Sequence, residues 1–227
     1  MALQKITVYS APGGPNPFKV VIILEELGIP YDLKVLGYAA LKQKPYTDVN
    51  PNGRAPAIVD PNTGLTVWES GAIIEYLIDQ YDKEKKLHYD GFAEKWQQHQ
   101  WVFYQVSGQG PYFGQAAWFN LFHHEKLPSA VDRYMDEINR VVGVLDGVLA
   151  KSKSGWLVGD KCTYADLIFV PWNEMIAPVS APTPEKWDIN KYPAYKKWAE
   201  GMKERPAVKK TLELQGQIMA DAQAGKY

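Results

Sequence analysis

Three short segments carry residue types whose spacing could do chemistry. The first, Trp68-Glu69-Ser70-Gly71, sits where an alternating apolar run gives way to a helical one, so Glu69 and Ser70 stand at a helix start. The unpaired N–H groups and positive dipole end of such a helix attract a carboxylate. Ser70 can hydrogen-bond that carboxylate, and Glu69 can pair with an ammonium. Together they form a corner suited to an amino acid, and plain helix capping is the simpler alternative. The second segment, Arg54-Ala55-Pro56-Ala57, puts a proline directly before a short strand, where it cannot donate to the ladder. A cis Ala55–Pro56 bond would leave the N–H and C=O of Ala55 exposed, ready to pair with an extended peptide as an added strand. On the dipeptide alone an ordinary trans proline is the commoner form. The third, Asn16-Pro17-Phe18, reads as an N-cap followed by proline at the first helical position.

Other reactive side chains offer less. One cysteine, Cys162, can form neither an intrachain disulfide nor a multi-cysteine metal centre, and it reads as structural. On a helix, His123 and His124 would point about 100° apart and could not share a face; with no zinc-type spacing, no metal site is expected. No motif supports a Ser/His/Asp nucleophile.

These segments need a scaffold, and the periodicity supplies one. Ile6–Tyr9 reads as a strand, Phe18–Leu27 as a helix ended by Gly28, and Tyr31–Leu36 as a second strand, parallel to the first through a right-handed crossover. Ala57–Asp60 and Leu65–Trp68 form a hairpin across Pro61-Asn62-Thr63-Gly64, and Gly71–Tyr81 is helical. Residues 82–91 are polar and suit a linker. Beyond them only helices are expected: 93 to about 122, interrupted near Gly108–Pro111, then 129–150, 163–175, 194–202 and 207–219. The expected domains are therefore 1–81, the linker 82–91, and 92–227.

Composition bounds the rest. Of 227 residues, 46% are apolar and 22% charged, which suits a globular protein with a sizeable core. Twenty-five basic against 26 acidic residues leave −1, which argues against a nucleic-acid or membrane-surface partner. No apolar run reaches the roughly 18 residues of a spanning helix. Met1–Lys5 lacks a signal peptide's apolar stretch, and the cysteine usage fits a reducing, cytoplasmic compartment. Thirteen per cent aromatic residues, with eight Trp and fourteen Tyr, hint at an apolar pocket.

Taken together the segments stop being generic. Ala11-Pro12 with Pro15-Asn16-Pro17-Phe18-Lys19-Val20, Asn50-Pro51-Asn52-Gly53-Arg54-Ala55-Pro56-Ala57, Trp68-Glu69-Ser70-Gly71-Ala72-Ile73, Trp101–Gly108, Gly114-Gln115-Ala116 and Trp156-Leu157-Val158-Gly159-Asp160-Lys161 fall in the order and spacing of a known family. The chain resembles a cytosolic glutathione transferase, of the fungal branch related to the yeast nitrogen-catabolite regulator with a transferase fold. The resemblance implies an α/β thioredoxin-like N-terminal domain, an all-α C-terminal domain, glutathione as cosubstrate and a homodimer.

It also implies roles. Glu69 and Ser70 would hold the γ-glutamyl end of glutathione, and Ala55 beside a cis Pro56 its cysteinyl unit. Arg54 and Phe18 would lie in the same site. Where the family often has a histidine before the cis proline, this chain has Leu41-Lys42-Gln43-Lys44-Pro45, so Lys42 or Lys44 would meet the glycyl carboxylate; a solvated loop lysine is the alternative. The thiolate is the nucleophile and a free thiol titrates near about 8.5, so the site must favour ionisation. The Ser or Cys that many members use for this falls here at about Gly14. Asn16, matching the fungal branch, would donate its amide to the sulfur, with Tyr9 and Ser10 as alternatives. Tyr104, Ser107, Gly108, Gly110, Tyr112, Phe113, Gln115, Trp172 and Asn173 would line the second-substrate pocket, although single aromatics among them serve equally well as core. Thr163-Tyr164-Ala165-Asp166 resembles the family's capping box and is assigned to stability.

The expected activity is detoxifying conjugation of glutathione to an apolar electrophile. Glutathione-dependent peroxide reduction or cis–trans isomerisation uses the same thiolate, and a non-enzymatic regulator or ligand carrier is the alternative class. The chain starts directly at the first strand, without the yeast relative's Asn-rich extension, which weakens the regulator reading.

Overall fold

The computed structural model describes residues 2–227. In the first segment β1 (Ile6–Ser10), α1 (Asn16–Leu27) and β2 (Tyr31–Val35) form the expected crossover, with β1 and β2 parallel. After a 3-10 turn at Ala40–Lys42 and the short α2 (Tyr46–Val49), β3 (Ala57–Asp60) and β4 (Leu65–Trp68) complete a mixed sheet of order β2-β1-β3-β4, and α3 (Ser70–Tyr81) follows. Helix α1 ends as its sequence demands. Gly28 takes φ 67°, its N–H donates to the Glu25 carbonyl at 3.3 Å, and the Ile29 N–H donates to that of Leu24 at 2.9 Å. This paired termination needs a left-handed residue, which glycine adopts without a Cβ penalty. At its other end α1 begins two residues earlier than the periodicity predicts. Pro15 is the N-cap and Asn16 the first helical residue, so Asn16 does not cap.

The helical segment is more broken than its hydrophobic pattern suggests. Helix α4 (Phe92–Tyr104) passes through a π-helical turn (Gln105–Gln109) into α5 (Gly110–Ala117), and a second π turn (Trp118–Phe122) follows. The expected interruption is thus a widened turn. Pro111 has no N–H for an intrahelical bond and its ring crowds the preceding turn, and a wider turn is one way to absorb both. Helix α6 (Pro128–Leu149) buries Ile138, Val141, Val142, Leu145 and Leu149. The run expected as one helix over 163–175 is two short buried helices, α7 (Tyr164–Leu167) and α8 (Val170–Asn173), and α9 (Ile176–Ser180) forms largely within the proline-rich stretch 177–193 that reads as a loop. Helix α10 spans Pro193–Lys203.

Helix α11 (Pro206–Gln223) changes the domain division. The described residues form two compact units, 2–86 with 205–227, and 87–204. The C-terminal segment expected in the helical domain belongs to the sheet unit because of α1. Glu26 on α1 is 7% exposed, and Arg205 grips it with two parallel bonds, Nε to Oε1 at 2.7 Å and Nη2 to Oε2 at 2.9 Å. Lys210 reaches Glu25 at 2.8 Å. A bidentate pair of this kind is the strong form of a salt bridge, and breaking a buried one costs about 3–5 kcal/mol. The polar segment 82–91 is likewise no free linker. Lys86 donates to the Glu26 carbonyl, whereas Leu87 is fully buried and its carbonyl accepts from the Tyr164 N–H at 2.8 Å. Among the described residues no helix is long and apolar enough to cross a membrane.

Candidate functional site

Strand register gathers the three sequence segments at one end of the sheet. Ala57 pairs with Trp68, so Pro56, just before β3, and Glu69, just after β4, lie side by side. Tyr9 pairs with Ala57 on the other flank, so the chain from Ser10 to Asn16 leaves β1 at the same end.

The Ala55–Pro56 bond is cis, as the resemblance implies and the dipeptide alone does not. The carbonyl before it is anchored. Arg54 O accepts from the Tyr46 hydroxyl at 2.5 Å and from Asn50 Nδ2 at 2.6 Å. Arg54 itself is exposed and Ala55 half-buried.

Glu69 is the N-cap of α3 and has φ 72° and ψ 119°. A non-glycine residue at positive φ costs of order 1–3 kcal/mol and persists only where the surroundings impose it. Its side chain is exposed, while Ser70, the first residue of α3, is buried. Lys19, which sequence reasoning assigned no role, is buried on α1 and donates to Ser70 Oγ at 3.3 Å. A lone Lys inside the apolar face of α1 was the available signal.

The two loop lysines differ. Lys44 pairs with Asp48 at 3.1 Å. Lys42 lies along Gly53, where an added Cβ would meet Lys42 Cδ at 3.2 Å. Gly53 has φ 62°, and the same Cβ would meet the Leu41 carbonyl at 2.8 Å, so only glycine lets this chain pass. Lys42 is thus placed beside Gly53, the residue before Arg54, whereas Lys44 itself precedes a second cis bond, Lys44–Pro45.

Of the residues near the first helix, Asn16 is half-buried at its start. Ser10 is buried and donates to the Ala11 carbonyl at 3.3 Å. Tyr9 packs on Tyr46 with ring centroids 5.3 Å apart. Phe18 is corrected: it is 0% exposed, and its N–H donates to the Pro15 carbonyl at 3.1 Å, so it is core and presents neither group to a ligand.

In the helical unit the predicted pocket residues divide. Phe113 is 1% exposed and is core, a second correction. Trp172 lies against two glycines, a Cβ on Gly110 standing 3.6 Å from its Nε1 and one on Gly114 3.5 Å from its ring. Gln109 donates to Asn173 Oδ1 at 2.8 Å and Gln105 to Gln109 at 2.9 Å, a buried polar chain across the π turn. Gly108 is buried there too. Tyr104 is half-buried and donates to the Val141 carbonyl at 3.3 Å, and Arg140 lies 5.9 Å from the Tyr112 ring. Ser107 and Gln115 are exposed.

His123 and His124 follow the end of the second π turn and not a helix, so their rings stack at 4.6 Å instead of diverging. Among the described residues no group of three or more His, Cys, Asp or Glu is placed to hold a metal ion. Cys162 is buried.

Comparisons with known proteins agree with this geometry. The family model for the glutathione S-transferase N-terminal domain matches residues 4–79, and that for the C-terminal domain matches residues 111–206. The glutathione S-transferase-like protein tpcF of Aspergillus fumigatus is 47% identical over 217 residues, covering 92% of this chain and 96% of that protein. The transcriptional regulator URE2 of Saccharomyces cerevisiae is 36% identical over 249 residues, covering 92% of this chain and 68% of the regulator. The solved glutathione transferase URE2P8 of Phanerochaete chrysosporium, with oxidized glutathione, superposes with a TM-score of 0.88 at 37% identity, covering 97% and 98% of the two chains. The chain belongs to the glutathione S-transferase family, in the fungal group that includes the Ure2 proteins.

Proposed function

We propose that this protein binds glutathione at the sheet end, favours its thiolate, and adds that sulfur to an apolar electrophile. The observation carrying this reading is the meeting of the positive-φ Glu69, buried Ser70 and cis Ala55–Pro56 across the Ala57–Trp68 pair. Glu69 takes the glutamyl ammonium, and Ser70 with the N-terminus of α3 takes the adjacent carboxylate. The Ala55 backbone pairs with the cysteinyl unit. Lys42 meets the glycyl carboxylate, since Lys44 is engaged by Asp48, and exposed Arg54 adds positive charge. The Asn16 amide donates to the sulfur at the N-terminus of α1, and both features favour the anion over the thiol. The thiol proton leaves to solvent and the sulfur lone pair forms the new C–S bond; in a substitution the broken bond's pair departs with the leaving group, and in an addition the C=C π pair moves onto the activating group and takes up a proton from solvent. The second-substrate role is assigned to the helical unit, which holds Tyr104, Tyr112 and Trp172 with its two glycines.

Glu69→Gln tests the corner. The charge is lost at nearly constant shape, so glutathione affinity falls about tenfold to a hundredfold, the worth of a charge-assisted hydrogen bond. Calorimetric affinity within about twofold of the unaltered protein contradicts the assignment.

The relative described as a transcriptional regulator supports a second reading, a non-enzymatic binder of glutathione. The two separate on turnover: an enzyme consumes an activated aryl halide or a peroxide, and a regulator consumes neither.

We also infer that two copies associate. Phe92, Trp96 and Phe103 are 83%, 59% and 65% exposed and fall on one face of α4, a stripe that ordinarily marks an interface. Trp96→Glu is expected to halve the mass measured by light scattering at low micromolar concentration. An unchanged mass removes this face from the interface.

A further inference from the structure

A buried cation stands behind the glutamyl corner. Lys19 lies in the first turn of α1, is 2% exposed, and its amine donates to Ser70 Oγ at 3.3 Å. Burial lowers its pKa to about 7, and the charge of Glu69 works against that shift. Lysine is almost never fully buried without a specific partner, because an apolar side chain fills the same space with no desolvation cost. The neighbouring Phe18, Val20, Val21, Ile22 and Ile23 show what α1 uses where packing alone matters.

The direction of the bond to Ser70 gives Lys19 its consequence. An ammonium carries three donors and no acceptor. While Lys19 is protonated, Ser70 Oγ must accept from it, and the hydroxyl proton is left to be donated elsewhere. Among the described residues this is the one side-chain hydrogen bond Ser70 makes. A hydroxyl that accepts from a cation is polarised and becomes a stronger donor. Ser70 is the first residue of α3, and the Lys19 amine beside its hydroxyl is buried, where a charge is weakly screened.

We propose that Lys19, in its ammonium form, is a positioning residue for the glutamyl α-carboxylate of glutathione, turning Ser70 into a hydrogen-bond donor and adding positive charge behind it. The proposal rests on reading Glu69 and Ser70 as the glutamyl corner, and it adds a residue that touches the ligand only through another.

The test compares two ligands on three proteins. Reduced glutathione and 4-aminobutyryl-cysteinylglycine, which lacks only the glutamyl α-carboxylate, are titrated calorimetrically into the unaltered protein, Lys19→Met and Lys19→Gln. Each variant's thermal melt is recorded alongside. Lys19→Met is expected to weaken glutathione about tenfold or more while changing the decarboxylated tripeptide by less than about threefold. If Lys19→Met does not melt cooperatively, the same comparison is read on Lys19→Gln, which keeps a neutral donor and is expected to lose less. Equal losses on both ligands mean that Lys19 only shapes the fold, and overturn the proposal, as does undiminished glutathione affinity. Failure of the unaltered protein to bind glutathione is a separate outcome: it defeats the reading of the corner itself and this proposal with it.

Discussion

Asp166→Ala is expected to lower the unfolding free energy by about 4 kcal/mol or more and the melting temperature by about 10 °C. Asp166 is fully buried and closes a capping box with Thr163. Its two oxygens accept from the Leu157 N–H at 3.0 Å, the Thr163 N–H at 2.9 Å, the Thr163 hydroxyl at 3.0 Å and the Trp198 indole N–H at 3.0 Å. Alanine would orphan four donors at once, each worth about 1–3 kcal/mol when buried and unsatisfied, with water recovering part of the sum. The carboxyl's pKa is nonetheless raised, because burial outweighs those four bonds, which shows how closed the site is. The residues proposed to hold glutathione all lie in the other compact unit, so folded Asp166→Ala should bind glutathione with unchanged affinity. A melting curve like that of the unaltered protein would contradict the structural role.

Asn16→Ala is expected to reduce kcat for conjugation by about a hundredfold to a thousandfold, the usual effect of removing one donor to a developing or stored anion. Glutathione affinity should stay within about threefold, because Glu69, Ser70 and Ala55 hold the peptide and Asn16 addresses only the sulfur. The pH profile separates this from a general loss. With the amide gone the bound thiol returns toward its ordinary pKa of about 8.5, so the variant's rate should keep rising into alkaline pH while the unaltered protein has levelled off. Equal turnover would remove Asn16 from the mechanism and return attention to the N-terminus of α1.

Local chemistry was legible in the sequence wherever one residue forces one backbone state. Gly28 marked the end of α1 and Pro61–Gly64 the hairpin, because each needs a particular φ or lacks an N–H, whereas Asn16-Pro17 placed the start of α1 one residue late. The corner was legible for a related reason, since Glu69 and Ser70 stand at the strand-to-helix switch and Pro56 at a strand start. Long-range and volumetric facts were not. Nothing in the spacing of Glu26 and Arg205, 179 positions apart, announces their ion pair, yet that contact draws the C-terminal helix into the sheet unit. Phe18 and Phe113 belong to motif segments, but whether an aromatic faces a ligand or the core depends on packing from other elements, and both proved to be core. The glycines and proline at 108–111 marked the first interruption, but periodicity does not show that it is a π turn and misses the second one at Trp118–Phe122, since a π turn changes the helical count by one residue and leaves the apolar pattern nearly intact. Lys19 sat in view inside an apolar helix, and only its distance to Ser70 supports the role proposed for it.

The central claim is that the site ionises the thiol of bound glutathione. The most direct test follows the ultraviolet absorbance of the thiolate as saturating glutathione is titrated with pH on the protein, by difference from the protein alone. The account predicts a midpoint at least about one unit below the 8.5 of a free thiol, moving back up in Asn16→Ala. A bound thiol that titrates at or above the free value would contradict it, and would leave a glutathione-binding protein that does not activate what it binds.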